Sequence, residues 1–230
     1  VARLGLRPDV RRWPLFGLGC AGGAGALSRA ADALRGAPRE RALVISVELC
    51  GQVFTPRAQS ATDVIGAALF GDGAAAALVS GDDVAGKGPR LAATRSLLFE
   101  GTSHLMGWAF TGDGMRLVLS KEVTDFVRER LKPAVDAFLS DAGASSRDLR
   151  YWALHPGGRK VIETYARTFA LADEALTWTR RSLAQVGNLS SASVLFILND
   201  VMESGRPRPG EKGLSPPSSS TPRGARPRTK

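Results

Sequence analysis

The stretch from Trp13 to Leu27 constrains the fold most, because an apolar run ends there in a glycine-rich elbow that carries a cysteine. The residues before the elbow, 15 to 18, are bulky and apolar, which favours a buried strand. After the elbow, apolar residues recur at helical spacing at positions 27, 30, 31 and 34. We therefore predict that Cys20 lies at a strand-to-helix junction, where the first N–H groups of the helix stabilise a thiolate.

Five glycines, at positions 17, 19, 22, 23 and 25, surround this cysteine. They allow backbone and substrate to approach the sulfur more closely than side chains would permit. A buried structural cysteine in a glycine-rich packing turn would show the same local pattern. Cys20 alone therefore leaves two interpretations open, a nucleophile and a packing residue.

The formal charge of +9 lies mostly in the last 26 residues, which carry a net charge of +6 and leave +3 for the first 204. Prolines and serines are frequent in this tail, and no aromatic residues alternate with its basic ones. Such a composition cannot bury enough apolar surface to fold, so we expect residues 205–230 to be a disordered tail. The pattern does not favour a nucleic-acid partner.

Cysteine content and hydropathy indicate the cellular compartment in which the protein works. Two cysteines are too few for a disulfide framework, and no segment has the length and apolarity of a membrane span or the core of a signal peptide. These features predict a cytoplasmic protein without a membrane span.

The rest of the chain alternates between strand and helix patterns, which indicates an α/β fold with layered sheets. The apolar run 42–47 predicts a strand in a sheet covered on both faces. Further strands are expected after the glycine turn at 71–73 and at 91–99, 115–119 and 151–154. Helices are expected at 20–35, at 122–142 with an interruption at Pro133, and from 159 to about 170. The segment 62–69 is a short piece of helix or loop, and the segment 194–202 is apolar on roughly one side.

Three polar residues stand at the ends of apolar segments: Cys20, His155 and Asn188. A histidine after a strand is often structural, and an asparagine after glycine often forms a turn. Together they supply the groups of a Cys–His–Asn site, in which the imidazole stabilises the thiolate and an amide N–H stabilises negative charge that develops on a carbonyl oxygen. The other histidine, His104, lies in a glycine-rich loop without an identifiable partner, and we expect it to be solvated. No cluster of Cys, His and Asp residues indicates a metal site.

Four ordered motifs resemble those of type III polyketide synthases, the chalcone and stilbene synthase family of the thiolase superfamily. The resemblance covers about residues 1–204. It implies a thiolase-like layered αβαβα fold that is incomplete at both ends. Residues 1–90 would be the second half of an N-terminal domain, and residues 91–204 a C-terminal domain. The motifs are Gly19-Cys20-Ala-Gly-Gly23, Leu69-Phe-Gly-Asp-Gly-Ala-Ala-Ala76, Leu154-His-Pro-Gly-Gly158 and Gly187-Asn-Leu-Ser-Ser-Ala192.

The resemblance also implies an activity. Cys20 would receive a starter acyl group from an acyl-CoA, and His155 would pair with it. Together with Asn188, His155 would also hold the carbonyl of malonyl-CoA during decarboxylation. No cofactor beyond these CoA thioesters is implied, and the family predicts a homodimer. The other implied site residues are a gatekeeping aromatic, a chamber residue and two glycines against the substrate, namely Phe70, Ser190, Gly157 and Gly158.

Two departures from the family pattern concern the starter. Leu117 falls where plant members have a second gatekeeping phenylalanine, and Val53 falls where they have a small polar residue. Both changes make the implied chamber more apolar, which favours a fatty acyl starter. The lead-in from Pro14 to Cys20 is similar to that of bacterial members that make alkylresorcinols or alkylpyrones.

Two other interpretations stay open at this point. A ketoacyl-ACP synthase III-like condensing enzyme also uses Cys, His and Asn. A catalytically inactive remnant or interaction protein would keep the scaffold alone. The family's first half-repeat is expected before Val1, and its closing loop and last strand after Leu214. A shifted reading frame would produce the Pro/Ser/Arg tail.

Overall fold

The structure, a computed structural model, describes residues 2–53, 60–86, 88–111 and 114–216. Short 3-10 turns connect many of its elements, and two of them, Gly19–Ala21 and Ser190–Ala192, matter for the site. The helices are α1 (Gly22–Arg35), α2 (Ala61–Leu69), α3 (Val123–Phe126), α4 (Lys132–Asp141), α5 (Arg159–Phe169), α6 (Thr177–Val186) and α7 (Ser193–Glu203). The strands are β1 (Arg41–Glu48), β2 (Gly73–Ser80), β3 (Met106–Thr111), β4 (Gly114–Leu119), β5 (Leu149–Trp152) and β6 (Lys212–Leu214).

Strands β1 and β2 form an antiparallel pair in register from Arg41 opposite Ser80 to Glu48 opposite Gly73. The side chains of β1 alternate in burial, as a strand with one covered face requires. Helices α1 and α7 pack on the covered face, which carries Val44 and Ser46. The predicted strand is therefore present, but the expectation of cover on both faces is wrong for the residues described. The three apolar residues of the other face, Leu43, Ile45 and Val47, are exposed.

A second core lies under helices α3 to α5 and strand β5. The predicted helix at 122–142 is present as α3, a π-helical segment Val127–Leu131 and α4. Pro133 stands in the first turn of α4. Because proline lacks an N–H group and its ring crowds the preceding turn, the wider π-helical turn before it lets the helix continue.

Two predicted strands are absent. Residues 15–18 and 91–99 form no strand in the structure, and their apolar side chains are largely exposed, with Phe16 at 98% and Leu98 at 74%. An apolar run becomes a strand only when another strand can pair with it, and none of the described strands does so here. Strand β3 and helix α6 were not predicted from the sequence.

Part of the segment predicted to be a disordered tail is ordered. Strand β6, at 212–214, pairs in parallel with β5, and the Ala153 N–H donates to the carbonyl of Leu214 at 2.9 Å. The Tyr151 hydroxyl also donates to Glu211 Oε2 at 2.9 Å. Composition did not indicate this strand because its backbone, not apolar side chains, makes the pairing. Residues 217–230 of the predicted tail lie outside the described residues.

None of the helices that the structure describes combines the length and apolarity needed to cross a membrane.

Candidate active site

Cys20 lies in the Gly19–Ala21 turn, which leads directly into the N-terminus of α1. Its side chain is buried, with 7% of its surface exposed. The helical half of the predicted junction is thus present, whereas irregular chain takes the place of the strand. Gly19 has a φ of +50°, a left-handed conformation that glycine adopts without the steric cost of a Cβ atom.

Asn188 begins the loop between α6 and α7 and is buried. Its N–H donates to the Leu69 carbonyl at 2.8 Å, and its carbonyl accepts from the Gly71 N–H at 3.0 Å. These two bonds make a parallel bridge between Phe70 and Asn188. Two residues that the sequence places 118 positions apart are therefore neighbours in the structure.

The Asn188 side chain also has a defined role in its own loop. Its Oδ1 accepts a hydrogen bond from the Ser190 N–H at 2.9 Å. Ser190 has a φ of +49°, a conformation that costs a non-glycine residue about 1–3 kcal/mol and that needs support from its surroundings. Because Oδ1 is engaged with the backbone, the amide NH₂ is the group that can donate to a substrate.

The Gly19–Ala21 turn packs against the Ser190–Ala192 turn. Glycines make this approach possible: a Cβ atom on Gly23 would lie 2.1 Å from the Ser191 carbonyl oxygen, and one on Gly22 would lie 3.0 Å from Ser191 Cβ. The structure thus brings the segment of Cys20 against the segment that follows Asn188.

Behind this contact lies a polar network. Ser191 donates to Glu48 Oε1 from its hydroxyl and, at 3.3 Å, from its backbone N–H. Its Oγ also lies 2.7 Å from Ser46 Oγ. Both partners stand on the covered face of β1, so the network joins β1 to the loop after Asn188.

His155 follows β5 and precedes α5, as predicted from the Leu-His-Pro-Gly-Gly motif. It is buried, and neither ring nitrogen has a hydrogen-bond partner among the described residues. Burial lowers the pKa of His155 to about 4, because an imidazolium ion loses its hydration there. His155 is therefore neutral near pH 7, with one nitrogen that donates and one that accepts.

The two glycines after His155 shape the start of α5. An added Cβ at Gly157 would lie 3.6 Å from His155 Cδ2, and Gly158 has a φ of +132°. About two turns further along α5, the buried Tyr165 interacts electrostatically with Cys20. Burial and, to a lesser degree, Cys20 raise the pKa of the Tyr165 phenol. The helix that begins after His155 thus comes within electrostatic range of Cys20.

The second cysteine, Cys50, is buried near the first and forms no disulfide. Burial, followed by the charges of Glu48, Cys20 and Asp72, raises the pKa of the Cys50 thiol to about 12. Asp72 also accepts a hydrogen bond from the Gly51 N–H at 2.6 Å. Cys50 is thus a thiol near pH 7 and a poor competitor for Cys20.

The two residues expected to make the chamber apolar are Leu117 and Val53. Leu117 is buried in β4, and this strand packs against α2, which ends one residue before Phe70. Val53 is half-buried and follows the Cys50–Gln52 turn. His104 is half exposed, as expected for a solvated residue, and its Nε2 lies 3.0 Å from Glu122 Oε2, a partner that the sequence did not identify.

No group of His, Cys, Asp or Glu side chains in the described part of the chain could hold a metal ion. A surface cleft of about 740 Å³ lies between α5 and the helical segment of α3 and α4. Its lining includes Arg128, Lys132, Lys160 and Arg167 but none of Cys20, His155 and Asn188.

The sequence did not single out Glu48, Ser191 or Tyr165. Ser191 lies inside a recognised motif, but its partner Glu48 is 143 residues away. One signal was available for Glu48: in an alternating strand it shares a face with Val44 and Ser46, and a carboxylate on a covered face requires a donor.

Comparison with known proteins gives a consistent result. The family model for the N-terminal domain of chalcone and stilbene synthases matches residues 1–83, and that for the C-terminal domain matches residues 91–213. A 1,3,6,8-tetrahydroxynaphthalene synthase from Streptomyces peucetius subsp. caesius is 45% identical over 92% of this chain and 57% of its own length.

Solved structures of type III polyketide synthases share the fold. The 1,3,6,8-tetrahydroxynaphthalene synthase of Streptomyces coelicolor A3(2) superposes with a TM-score of 0.86, at 29% identity over 92% of this chain and 60% of that chain. PKS-I from the brown alga Ectocarpus siliculosus gives a TM-score of 0.84, also at 29% identity, over 93% and 59%. The chain thus spans about three fifths of the length of these relatives.

These matches confirm the α/β fold of the thiolase type that the four motifs implied. The chain belongs to the chalcone and stilbene synthase family, the type III polyketide synthases.

Proposed function

We propose that the protein is an acyltransferase that loads an acyl group from a CoA thioester onto Cys20 and extends it with malonyl-CoA. The observation that carries this proposal is the packing of the Cys20 turn against the loop of Asn188 in a member of this family. A buried His155 whose ring nitrogens have no partner among the described residues, and which precedes a helix within electrostatic range of Cys20, supports it further.

In the loading step, the Cys20 thiolate forms a bond to the acyl carbon, and the bond from that carbon to the sulfur of CoA breaks. One thioester replaces another, so little free energy is required. The N-terminus of α1 stabilises the thiolate before attack. Since His155 is neutral near pH 7, its part is to donate a hydrogen bond and not to form an ion pair with the thiolate.

In the extension step, malonyl-CoA loses carbon dioxide, and the electrons of the broken bond form an enolate. The enolate carbon then attacks the acyl carbon on Cys20, which expels the thiolate. The N–H of His155 and the NH₂ of Asn188 would donate to the developing enolate oxygen. Removal of one such donor typically lowers the rate by about 10²–10³-fold.

For the starter, we propose a fatty acyl group, because Leu117 and Val53 are apolar where the family resemblance places a phenylalanine and a small polar residue. Leu117 also lies in a strand that packs against the helix before Phe70. Phe70 and Ser190 would line the chamber, with Gly157 and Gly158 against the substrate. A short starter is the alternative, which the similarity to 1,3,6,8-tetrahydroxynaphthalene synthases favours. That compound carries no alkyl chain, whereas a fatty starter would leave its chain on the product.

We place a domain boundary near residue 90, between the N-terminal part with Cys20 and the C-terminal part with His155 and Asn188, and we propose that the functional form is a homodimer.

The test is the mass of the protein after incubation with a mixture of acetyl-, malonyl- and fatty acyl-CoA. We expect an acyl adduct on Cys20 that Cys20→Ala abolishes and Cys50→Ala retains, since only about one part in ten thousand of Cys50 is a thiolate at pH 8. The mass of the adduct separates fatty from short starters.

Extension is then measured as the release of carbon dioxide, with malonyl-CoA and with malonyl-ACP as alternative substrates. Use of malonyl-ACP alone would identify a ketoacyl-ACP synthase III-like enzyme. Absence of any adduct, or an adduct on Cys50, would overturn the proposal and favour an inactive scaffold.

A further inference from the structure

We propose that Glu48 is a positioning residue, which holds Asn188 at a fixed place relative to Cys20 by way of Ser191. This inference rests on the proposed function for its kinetic consequences, but the contacts that carry it do not depend on any reaction.

The first observation is the strained turn beside Asn188. Ser190 adopts a left-handed conformation, and such a conformation persists only when surrounding contacts hold it. On its N-terminal side, the contact is the bond from the Ser190 N–H to Asn188 Oδ1. On its C-terminal side, the next residue, Ser191, is bonded to Glu48 through both its N–H and its hydroxyl.

The second observation is where Ser191 lies. Its carbonyl and Cβ face Gly23 and Gly22 at the start of α1, and its hydroxyl faces Ser46 and Glu48 on β1. Ser191 is therefore enclosed between the helix that bears Cys20 and the strand that bears Glu48. Loss of the bonds to Glu48 would weaken the β1 side of this enclosure, where the contact between the Ser46 and Ser191 hydroxyls remains.

The third observation is chemical. A carboxylate is the strongest acceptor available to a backbone N–H and a hydroxyl, and both donors of Ser191 converge on the same oxygen, Oε1. Glu48 is the last residue of β1, so regular pairing with β2 fixes its own backbone. The charge is thus anchored on a sheet while its partner lies in a loop.

A spectroscopic test needs no activity, because the chain contains only two asparagines, Asn188 and Asn199. Labelling with ¹⁵N-asparagine gives one backbone signal and one NH₂ pair for each. Asn199 is exposed on α7 and serves as an internal reference. We expect Glu48→Ala and Ser191→Ala to shift or broaden the Asn188 signals and to leave those of Asn199 in place.

Glu40→Ala is the matched control, since Glu40 is an exposed carboxylate next to the other end of β1 and pairs with Arg11. Glu40→Ala should shift the signals of neither asparagine. Ser191→Ala removes one hydroxyl only, so it keeps the test valid if Glu48→Ala does not fold. Unchanged Asn188 signals in Ser191→Ala and Glu48→Gln would overturn the proposal.

The kinetic test is a double-mutant cycle. We expect Glu48→Ala to lower kcat about tenfold to a hundredfold with a smaller change in KM, as small displacements of a reacting group do. In an Asn188→Ala background the same change should alter kcat by less than about twofold, because the residue it positions is gone. Additive effects would show that Glu48 does not act through Asn188.

The two proposals fail separately. If the wild-type protein forms no Cys20 adduct, the proposed function falls, and the asparagine spectra still decide the role of Glu48. If the adduct forms but Asn188 is unaffected in the variants, only the positioning role falls.

Discussion

Asn188 and His155 are proposed to face the same substrate oxygen, yet the protein holds them in opposite ways. Asn188 is bonded through its backbone N–H, its carbonyl and its side-chain oxygen. His155 is equally buried, but neither ring nitrogen has a partner in the part of the chain described. A buried polar group without a partner costs about 1–3 kcal/mol.

The difference shows two ways in which a protein can hold a hydrogen-bond donor ready for a substrate. Asn188 supports its own loop through Oδ1 and offers its amide NH₂ group as the donor to a substrate. His155 keeps its hydrogen-bonding capacity for a ligand, at the expense of stability. Substitutions at the two positions should therefore agree in their effect on catalysis and differ in their effect on folding.

The largest effect is expected from removal of either donor. Asn188→Ala and His155→Leu should each lower the rate of malonyl-CoA decarboxylation by about 10²–10³-fold. Thermal unfolding should separate them: Asn188→Ala should lower Tm because the Ser190 N–H loses its acceptor, whereas His155→Leu should leave Tm unchanged or higher. Equal losses of Tm would remove the contrast between the two residues.

A smaller effect should follow from a change at the contact between the Cys20 and Asn188 segments. Gly23→Ala would place Cβ 2.1 Å from the Ser191 carbonyl oxygen, and overpacking of this kind costs about 1–3 kcal/mol. Alanine is better than glycine in a helix by about 1 kcal/mol, so a net loss in urea unfolding would report the steric cost. Gly36→Ala, where the nearest atom is 3.6 Å away, is the control and should not destabilise the protein.

The most gradual effect concerns pH. Because the pKa of His155 is lowered from 6.5 to about 4 in the folded protein, the unfolded chain binds more protons between these values. Stability should therefore fall as the pH falls through this window, by at most about 1.4 kcal/mol per pH unit from this residue. Below about pH 4 both states are protonated and the contribution becomes constant.

The difference between wild type and His155→Leu in urea unfolding, measured from pH 7 to pH 4, isolates this contribution from that of the carboxylates. Parallel curves for the two proteins would mean that the pKa of His155 is the same in the folded and the unfolded state.

The sequence predicted the parts of the site that depend on local pattern. Cys20 at a helix start, His155 between strand and helix, and Asn188 in a turn all follow from glycines, a proline and apolar periodicity close by in the chain. The motif resemblance predicted the fold because four such signals occur in one order.

Features that depend on distant partners could not be predicted in this way. Residues 15–18 and 91–99 have the composition of strands but pair with no strand described here, whereas β6 pairs with β5 despite its unpromising composition. The contact of Glu48 with Ser191 joins residues 143 positions apart, and no local pattern specifies it.

Strand β6 has a practical consequence for anyone who shortens this protein. A version that stops after α7 would retain Cys20, His155 and Asn188, yet the Ala153 N–H, two residues before His155, would lose its acceptor. The segment that delivers the imidazole would then be tethered by helix contacts alone, and its backbone should exchange amide hydrogen for deuterium faster. A shortened protein should therefore keep β6 up to Leu214.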